Sequence, residues 1–421
     1  MKTSRISGFY KLSPEERLEK VREFAGLSEE EVELIRKSSK LSLEVADRMI
    51  ENVIGTFELP LGIATNFLID GRDYLVPMVI EEPSVVAAAS NGARIARVRG
   101  GFTTHYTGSI MIGQIQVITD NPHSAKFEVM RRKDEIVERA NEIESSIVRL
   151  GGGCKDVRVR ILEGRKSMIS VDLLIDVKDA MGANFVNSVC EHVAPLVERI
   201  TGGKVLLRIL SNLCPFRLAT AKAVFDKKAV GGEDVVEAIV DAYEFARVDV
   251  FRCATHNKGI MNGISAVLIA TGNDFRAVEA ACHAYSAMHG YKPLTHYEID
   301  DEGNLVGYIE VPMSVGVVGG SVKANPLARI CLKILGVKTA EELARVIAAV
   351  GLAQNFAALR ALATEGIQRG HMELHARSLA MAVGAKGDEV DRVVERMLKE
   401  GKISMSRARE ILEELRSHEG K

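Results

Sequence analysis

The sequence predicts an α+β fold with three parts: a mainly helical large domain, a ferredoxin-like βαββαβ unit inserted into it, and a C-terminal helical segment. Three observations lead to this. Between residues 112 and 212 the apolar pattern runs strand, helix, strand, strand, helix, strand, the split βαβ order. Helical periodicity dominates again from residue 232. From residue 371 onward the chain turns rich in Lys, Arg and Glu. The segments read as 1–109 and 214–368 for the large domain, 110–213 for the insertion, and 369–421 for the C-terminal piece.

At the N-terminus, residues 12–40 read as two short helices. Ser13-Pro14-Glu15-Glu16 and Ser28 with Glu31 are capping boxes, in which a hydroxyl and a glutamate exchange bonds with each other's backbone N–H. Residues 63–80 read as a hairpin about Asp70-Gly71, a pair suited to positive φ. Glu81-Glu82-Pro83-Ser84 then opens an alanine-rich helix to about Arg97, with Pro83 in its first turn.

In the insertion, Ile112–Ile118 is a strand and about Ala125–Leu150 one long helix, stopped by Gly151-Gly152-Gly153. Strands Val157–Leu162 and Met168–Val177, a helix from Gly182 to Ile200 and a strand Val205–Leu210 complete it. Beyond 232 the chain is helical to about 290. A hairpin follows over Tyr297–Met313, with its turn at Asp301–Asn304. A glycine-rich loop and helices to about 366 come next.

Composition removes several functions. The net charge of −2 offers no broad cationic field for nucleic acid, and Trp is absent with only 5% aromatic residues, which removes a base-stacking platform. No apolar run of about 18 residues suggests a membrane span. The N-terminus carries no apolar signal core, and the six cysteines form no CxxC pair, so a reducing, cytoplasmic location is expected.

Single chemical signals are modest. Glu82 at a strand–helix junction can be a helix-end acid. Lys258, in Thr255-His256-Asn257-Lys258-Gly259 just before an apolar helix Ile260–Ile269, reads by itself as a surface lysine, or as a partly buried one that needs a counter-charge. Asp274 can cap the next helix. His371 and His375 share a helix face, but the zinc pattern requires Glu directly after the first histidine and Met372 stands there, so no metal is expected. Val315-Gly316-Val317-Val318-Gly319-Gly320 lets backbone approach something closely, or makes a tight turn between strand and helix. Neither G-x-G-x-x-G after a strand nor G-x-x-x-x-G-K-[ST] is present, so any dinucleotide would bind without a Rossmann phosphate loop.

The ordered set of motifs says more than its members. Glu51-Asn52-Val53-Ile54-Gly55, Glu81-Glu82-Pro83-Ser84, Asp179-Ala180-Met181-Gly182-Ala183-Asn184, Thr255-His256-Asn257-Lys258-Gly259, Gly272-Asn273-Asp274, Gly316-Val317-Val318-Gly319-Gly320 and Gly370-His371-Met372 follow one another along the chain. This set resembles the 3-hydroxy-3-methylglutaryl-coenzyme A reductases, and the His371–His375 spacing with no membrane anchor resembles their class II. The resemblance implies a reversible, two-step reduction of the coenzyme A thioester to mevalonate by NADH, with NADPH possible. It implies catalytic roles for Glu82, Lys258, Asp274 and His371, with Glu82, Lys258 and Asp274 as one coupled network. It implies substrate contacts from Ser84, Arg252 and Asn262. Cofactor contacts would come from Glu144, Asp179, Met181, Gly182, Asn184 and Asn212. The insertion would be a non-Rossmann dinucleotide-binding domain, the C-terminal segment a flap that closes over substrates, and the enzyme a homodimer with shared active sites. Glu144 departs from the family's Asp at an NADH-preferring position; an acid there bonds a ribose 2′-OH and repels a 2′-phosphate. The alternatives are a lyase-type enzyme using the same acid–base set on coenzyme A thioesters, separated by nicotinamide absorbance, and a non-catalytic binding protein, which the intact acid–base set opposes.

Overall fold

The structure, a computed structural model, describes residues 2–37, 41–288, 290–319, 322, 324–364 and 367–419, without the side chains of 367–374 and 418–419. The two N-terminal helices, α1 (Pro14–Ala25) and α2 (Glu29–Arg36), form with both capping boxes made. A short α3 (Leu43–Asp47) follows. Strands β1 (Leu61–Ile69) and β2 (Arg72–Val79) pair as the expected hairpin, with φ of 49° at Asp70 and 78° at Gly71.

Helix α4 (Val85–Ala96) starts later than the sequence suggested. Pro83 stands outside its first turn, and Ser84 is the cap, with φ of 75°. A non-glycine residue held in that region costs on the order of 1–3 kcal/mol, and such strain gathers at functional sites.

Next come β3 (Phe102–Tyr106) and β4 (Ile110–Ile118). The single helix expected over Ala125–Leu150 is three: α5 (Pro122–Arg131), α6 (Lys133–Asn141) and α7 (Ser146–Arg149). Arg132 leaves helical geometry at φ −108°, ψ 25°, and the Ser145 hydroxyl caps a new start by accepting from the Ile147 N–H. Polar residues that bond nearby backbone break helices in this way. Strands β5 (Gly153–Leu162) and β6 (Met168–Asp176), helix α8 (Ala183–Thr201) and strand β7 (Lys204–Ser211) complete the unit.

The small sheet has the order β5-β6-β4-β7, antiparallel throughout, as the split βαβ order requires. β4 alternates strictly between buried and half-buried positions, and its buried face packs on the apolar stripe of α8.

β8 (Leu218–Phe225) returns to a six-stranded sheet of order β2-β1-β3-β8-β10-β9. Its central strands β3 and β8 were not expected from sequence, because their alternation is short and rich in Ala and Thr. Helices α9 (Lys227–Val230), α10 (Glu233–Val248), α11 (Val250–Ala270) and α12 (Phe275–Ala287) precede the hairpin β9 (Thr295–Ile299) and β10 (Leu305–Pro312). The Thr255–Gly259 motif thus lies inside α11 rather than ahead of a helix.

Helices α13 (Pro326–Leu335) and α14 (Ala340–Ala363) follow. α14 is by length and composition apolar enough to cross a membrane, yet its side chains are mostly buried within the large core. It packs on α11 so closely that a Cβ at Gly263 would lie 2.9 Å from the Gln354 side chain. Helices α15 (Ile367–Ala382), α16 (Asp388–Glu400) and α17 (Met405–Glu419) enclose an apolar core of their own around Ala380, Val393, Met397 and Ile411.

Candidate active site

α11 carries the lysine, and three contacts fix how it turns. The Asp249 carboxylate caps its N-terminus. The buried Asn257 amide donates to the Ser286 hydroxyl and the Lys292 carbonyl, and accepts from the Leu294 N–H. The buried His256 ring bonds the Thr295 hydroxyl at 2.7 Å. That hydroxyl donates to Asn355 Oδ1 on α14, so His256 must donate through Nε2–H and its Nδ1 is left without a partner. Burial pulls the His256 pKa down to about 3, which keeps the ring neutral.

With those two residues held inward, the next one, Lys258, points out. Its Nζ lies 3.0 Å from Glu82 Oε2, across the mouth of the β2–α4 loop. The side chains are 60% and 37% exposed, so in the single chain Lys258 is a surface lysine, the first of the two readings. An exposed ion pair contributes at most about 1 kcal/mol, so folding gains little from this one.

The other expected catalytic residues differ in setting. Asp274 is half-buried and caps α12, accepting from the Arg276 and Ala277 N–H groups. Its ion pair is with Arg276, at 3.1 Å, rather than with Lys258 as the expected network required. Burial pushes its pKa up, but the Arg276 and Ala277 hydrogen bonds together outweigh that and hold it below the ordinary carboxylate value. The His371 side chain lies outside the described residues; its backbone is on α15, and His375 is exposed.

Ser84 sits at the strained start of α4, beside Glu82. Asn262 is half-buried one turn after Lys258 and shares its face. Arg252, in the first turn of α11, is half-buried, and burial lowers its pKa. Among the described residues no carboxylate pairs with it, which leaves a guanidinium suited to an anion.

Of the expected cofactor residues, Asp179, Met181, Gly182 and Asn184 lie at or just before the start of α8, and Glu144 and Asn212 lie elsewhere in the sequence. Gly182 caps the helix at φ 102°, with no side-chain cap and no acidic residue in the first turn. A Cβ at Gly182 would lie 2.6 Å from Val177. Such a helix start presents free N–H groups to an anion, so these residues fit a dinucleotide diphosphate. Asn184 is exposed on that first turn. Asp179 uses Oδ1 to cap α14 at Ala340 N, 2.8 Å away, and its carbonyl accepts from Val317. The Met181 carbonyl accepts from Arg217. Asn212 is exposed after β7, and Glu144 is exposed in the turn between α6 and α7. Sequence reasoning gave no separate role to Arg217, which bonds three distant carbonyls and the Tyr106 hydroxyl, to His256, which bonds the Thr295 hydroxyl, or to Asn273, which accepts from the Gly316 N–H.

A family model, hydroxymethylglutaryl-coenzyme A reductase, matches residues 13–376. The chain belongs to the hydroxymethylglutaryl-coenzyme A reductase family. It is 72% identical over 417 residues to the 3-hydroxy-3-methylglutaryl-coenzyme A reductase of Archaeoglobus fulgidus, covering 99% of this chain and 95% of that one. It is 36% identical to a probable reductase of Borreliella burgdorferi, over 79% and 77% of the two chains. A class II reductase of Streptococcus pneumoniae, solved bound to NADPH in open conformations, superposes with a TM-score of 0.82 at 42% identity, covering 96% of this chain and all of that one. The ordered motifs of the sequence therefore identify a reductase of the class II type.

Proposed function

We propose that this chain reduces 3-hydroxy-3-methylglutaryl-coenzyme A to mevalonate and coenzyme A, reversibly, with Glu82, Lys258, Asp274 and His371 as its catalytic residues. The observation that carries the residue assignment is the Lys258–Glu82 pair, an ion pair with little value for folding that the α11 contacts nevertheless hold in place. When bound, the dinucleotide supplies hydride; two hydrides and two protons convert the thioester to the alcohol and free thiol.

In each step negative charge grows on the carbonyl oxygen of the substrate. The Lys258 ammonium stabilises that oxygen, and Glu82, hydrogen-bonded to it, is placed to deliver the proton. Arg252 clamps the free carboxylate of the hydroxymethylglutaryl group, with Ser84 and Asn262 beside it. His371, on α15, protonates the departing thiolate when the C-terminal helices close and exclude water. Asp274 joins this group when closure draws it from Arg276.

The unit over 110–213 is the dinucleotide domain, with the diphosphate on the start of α8. Glu144 makes NADH the better reductant. NADPH is the second reading, favoured by its presence in the Streptococcus pneumoniae enzyme at 42% identity. The working form is a homodimer: Ile54 is 101% exposed, Phe57 90% and Phe251 83%, and apolar side chains so exposed call for a cover. The six cysteines are buried free thiols, which supports a cytoplasmic location.

A steady-state assay with NADH and NADPH side by side, in both directions, tests the reading. Loss of nicotinamide absorbance that depends on the thioester supports it; carbon–carbon cleavage of the substrate that keeps a coenzyme A thioester, without that loss, means a lyase.

A further inference from the structure

We propose that Arg217 is a positioning residue that locks the cofactor turn, Asp179–Gly182, to the glycine-rich segment Val315–Val318, and so sets where the dinucleotide lies relative to the catalytic centre. This rests on the assignment of the α8 start as the cofactor site. Arg217 is fully buried. Its Nε donates to the Tyr106 hydroxyl at 2.9 Å and its Nη1 to the Met181 carbonyl at 3.0 Å. Its Nη2 donates to the carbonyls of Ala180 at 3.1 Å and Val315 at 2.5 Å. Among the described residues no carboxylate pairs with it.

A buried charge without a counter-ion is costly, and carbonyl dipoles are its compensation here. Those carbonyls come from two segments 135 residues apart, Ala180 to Val315. The planar guanidinium reaches both at once, which a lysine ammonium on a flexible stem does less well.

The two segments also touch directly. The Val317 N–H donates to the Asp179 carbonyl at 3.0 Å, and Ala180 bridges Val318 in parallel. A Cβ at Gly316 would lie 2.4 Å from the Met181 nitrogen, so only glycine permits this approach. From there the path reaches the catalytic centre in one step: the Gly316 N–H donates to Asn273 Oδ1 at 2.8 Å, and Asn273 precedes Asp274. Arg217 thus braces a connected run from the start of α8 to the cap of α12.

The test compares four variants of the full chain by reduced-nicotinamide fluorescence titration, steady-state kinetics and thermal melting. Arg217→Lys keeps the charge and loses the fork; it raises the dinucleotide Kd and KM about fivefold or more and holds the thioester KM within about twofold. Tyr106→Phe removes one of the four bonds and shifts the dinucleotide values the same way, by less. Ser4→Ala removes a buried hydrogen bond to the Phe67 carbonyl and a part-buried one to Asp73, neither partner lying in the two segments; it lowers Tm and moves neither KM. An Arg217→Lys enzyme with a lowered Tm and an unchanged dinucleotide Kd overturns the proposal. If Arg217→Lys does not fold, Tyr106→Phe decides, and unchanged dinucleotide binding in that variant overturns it equally. Asn184→Ala checks the underlying assignment: dinucleotide binding unmoved in that exposed variant counts against the cofactor site itself, whatever Arg217 does.

Discussion

Lys258 and Glu82 hold an ammonium and a carboxylate 3.0 Å apart although 176 residues separate them in the chain. Lys258 is largely open to water and Glu82 partly so, and their pairing therefore adds little to stability. Lys258→Ala is expected to cut turnover at least about a hundredfold, the cost of losing an oxyanion stabiliser. Its melting temperature should stay near that of the unmutated chain. Near-normal turnover would remove Lys258 from the mechanism.

Stability should fall in acid through His256. Its folded pKa is depressed to about 3 from an ordinary 6.5, so the unfolded chain takes up a proton that the folded chain refuses. The contribution is therefore full above pH 6.5 and declines as pH falls from there toward about 3. His256→Asn removes that titration. Its Tm should be lower at neutral pH, and the gap to the unmutated chain should narrow as pH falls through this window. A gap that stays constant across it shows that His256 does not drive the acid loss.

Cofactor choice should respond to Glu144. The unmutated enzyme should favour NADH, and Glu144→Ala should narrow the difference by accepting NADPH better. Measured kcat/KM for both reductants decides; a wide NADPH preference before mutation means that the carboxylate does not meet the ribose.

His371 should matter more for the first reduction than for the second. Thioester reduction releases a thiolate that must be protonated, whereas free mevaldehyde has no such leaving group. His371→Gln should slow the thioester reaction strongly and the mevaldehyde reaction much less, with a milder effect from His375→Gln. Equal losses on both substrates would point to flap closure instead of proton donation.

Shared sites can be tested by mixing. Chains carrying Lys258→Ala and chains defective in the Asp179–Asn184 turn should regain activity on subunit exchange, if each site draws on both protomers. Proven exchange with no recovery would put each whole site within one chain.

Much of this was legible in the linear order of residues. Capping boxes at Ser13 and Ser28, the turn at Asp70-Gly71 and the βαββαβ order depend on contacts within a few residues or on strand and helix periods, and both are written locally. The ordered motifs were likewise enough to mark the family. Tertiary structure alone decided the rest. The central strands β3 and β8 are defined by partners elsewhere in the sheet. Lys258 meets Glu82 because Asn257 and His256 fix the turn of α11 against a distant strand and helix. Asp274 meets Arg276 instead, since a cap and a residue two positions on are already neighbours. Arg217 was invisible in advance because its partners are mainly carbonyl oxygens, which every residue carries and which only folding brings into one place.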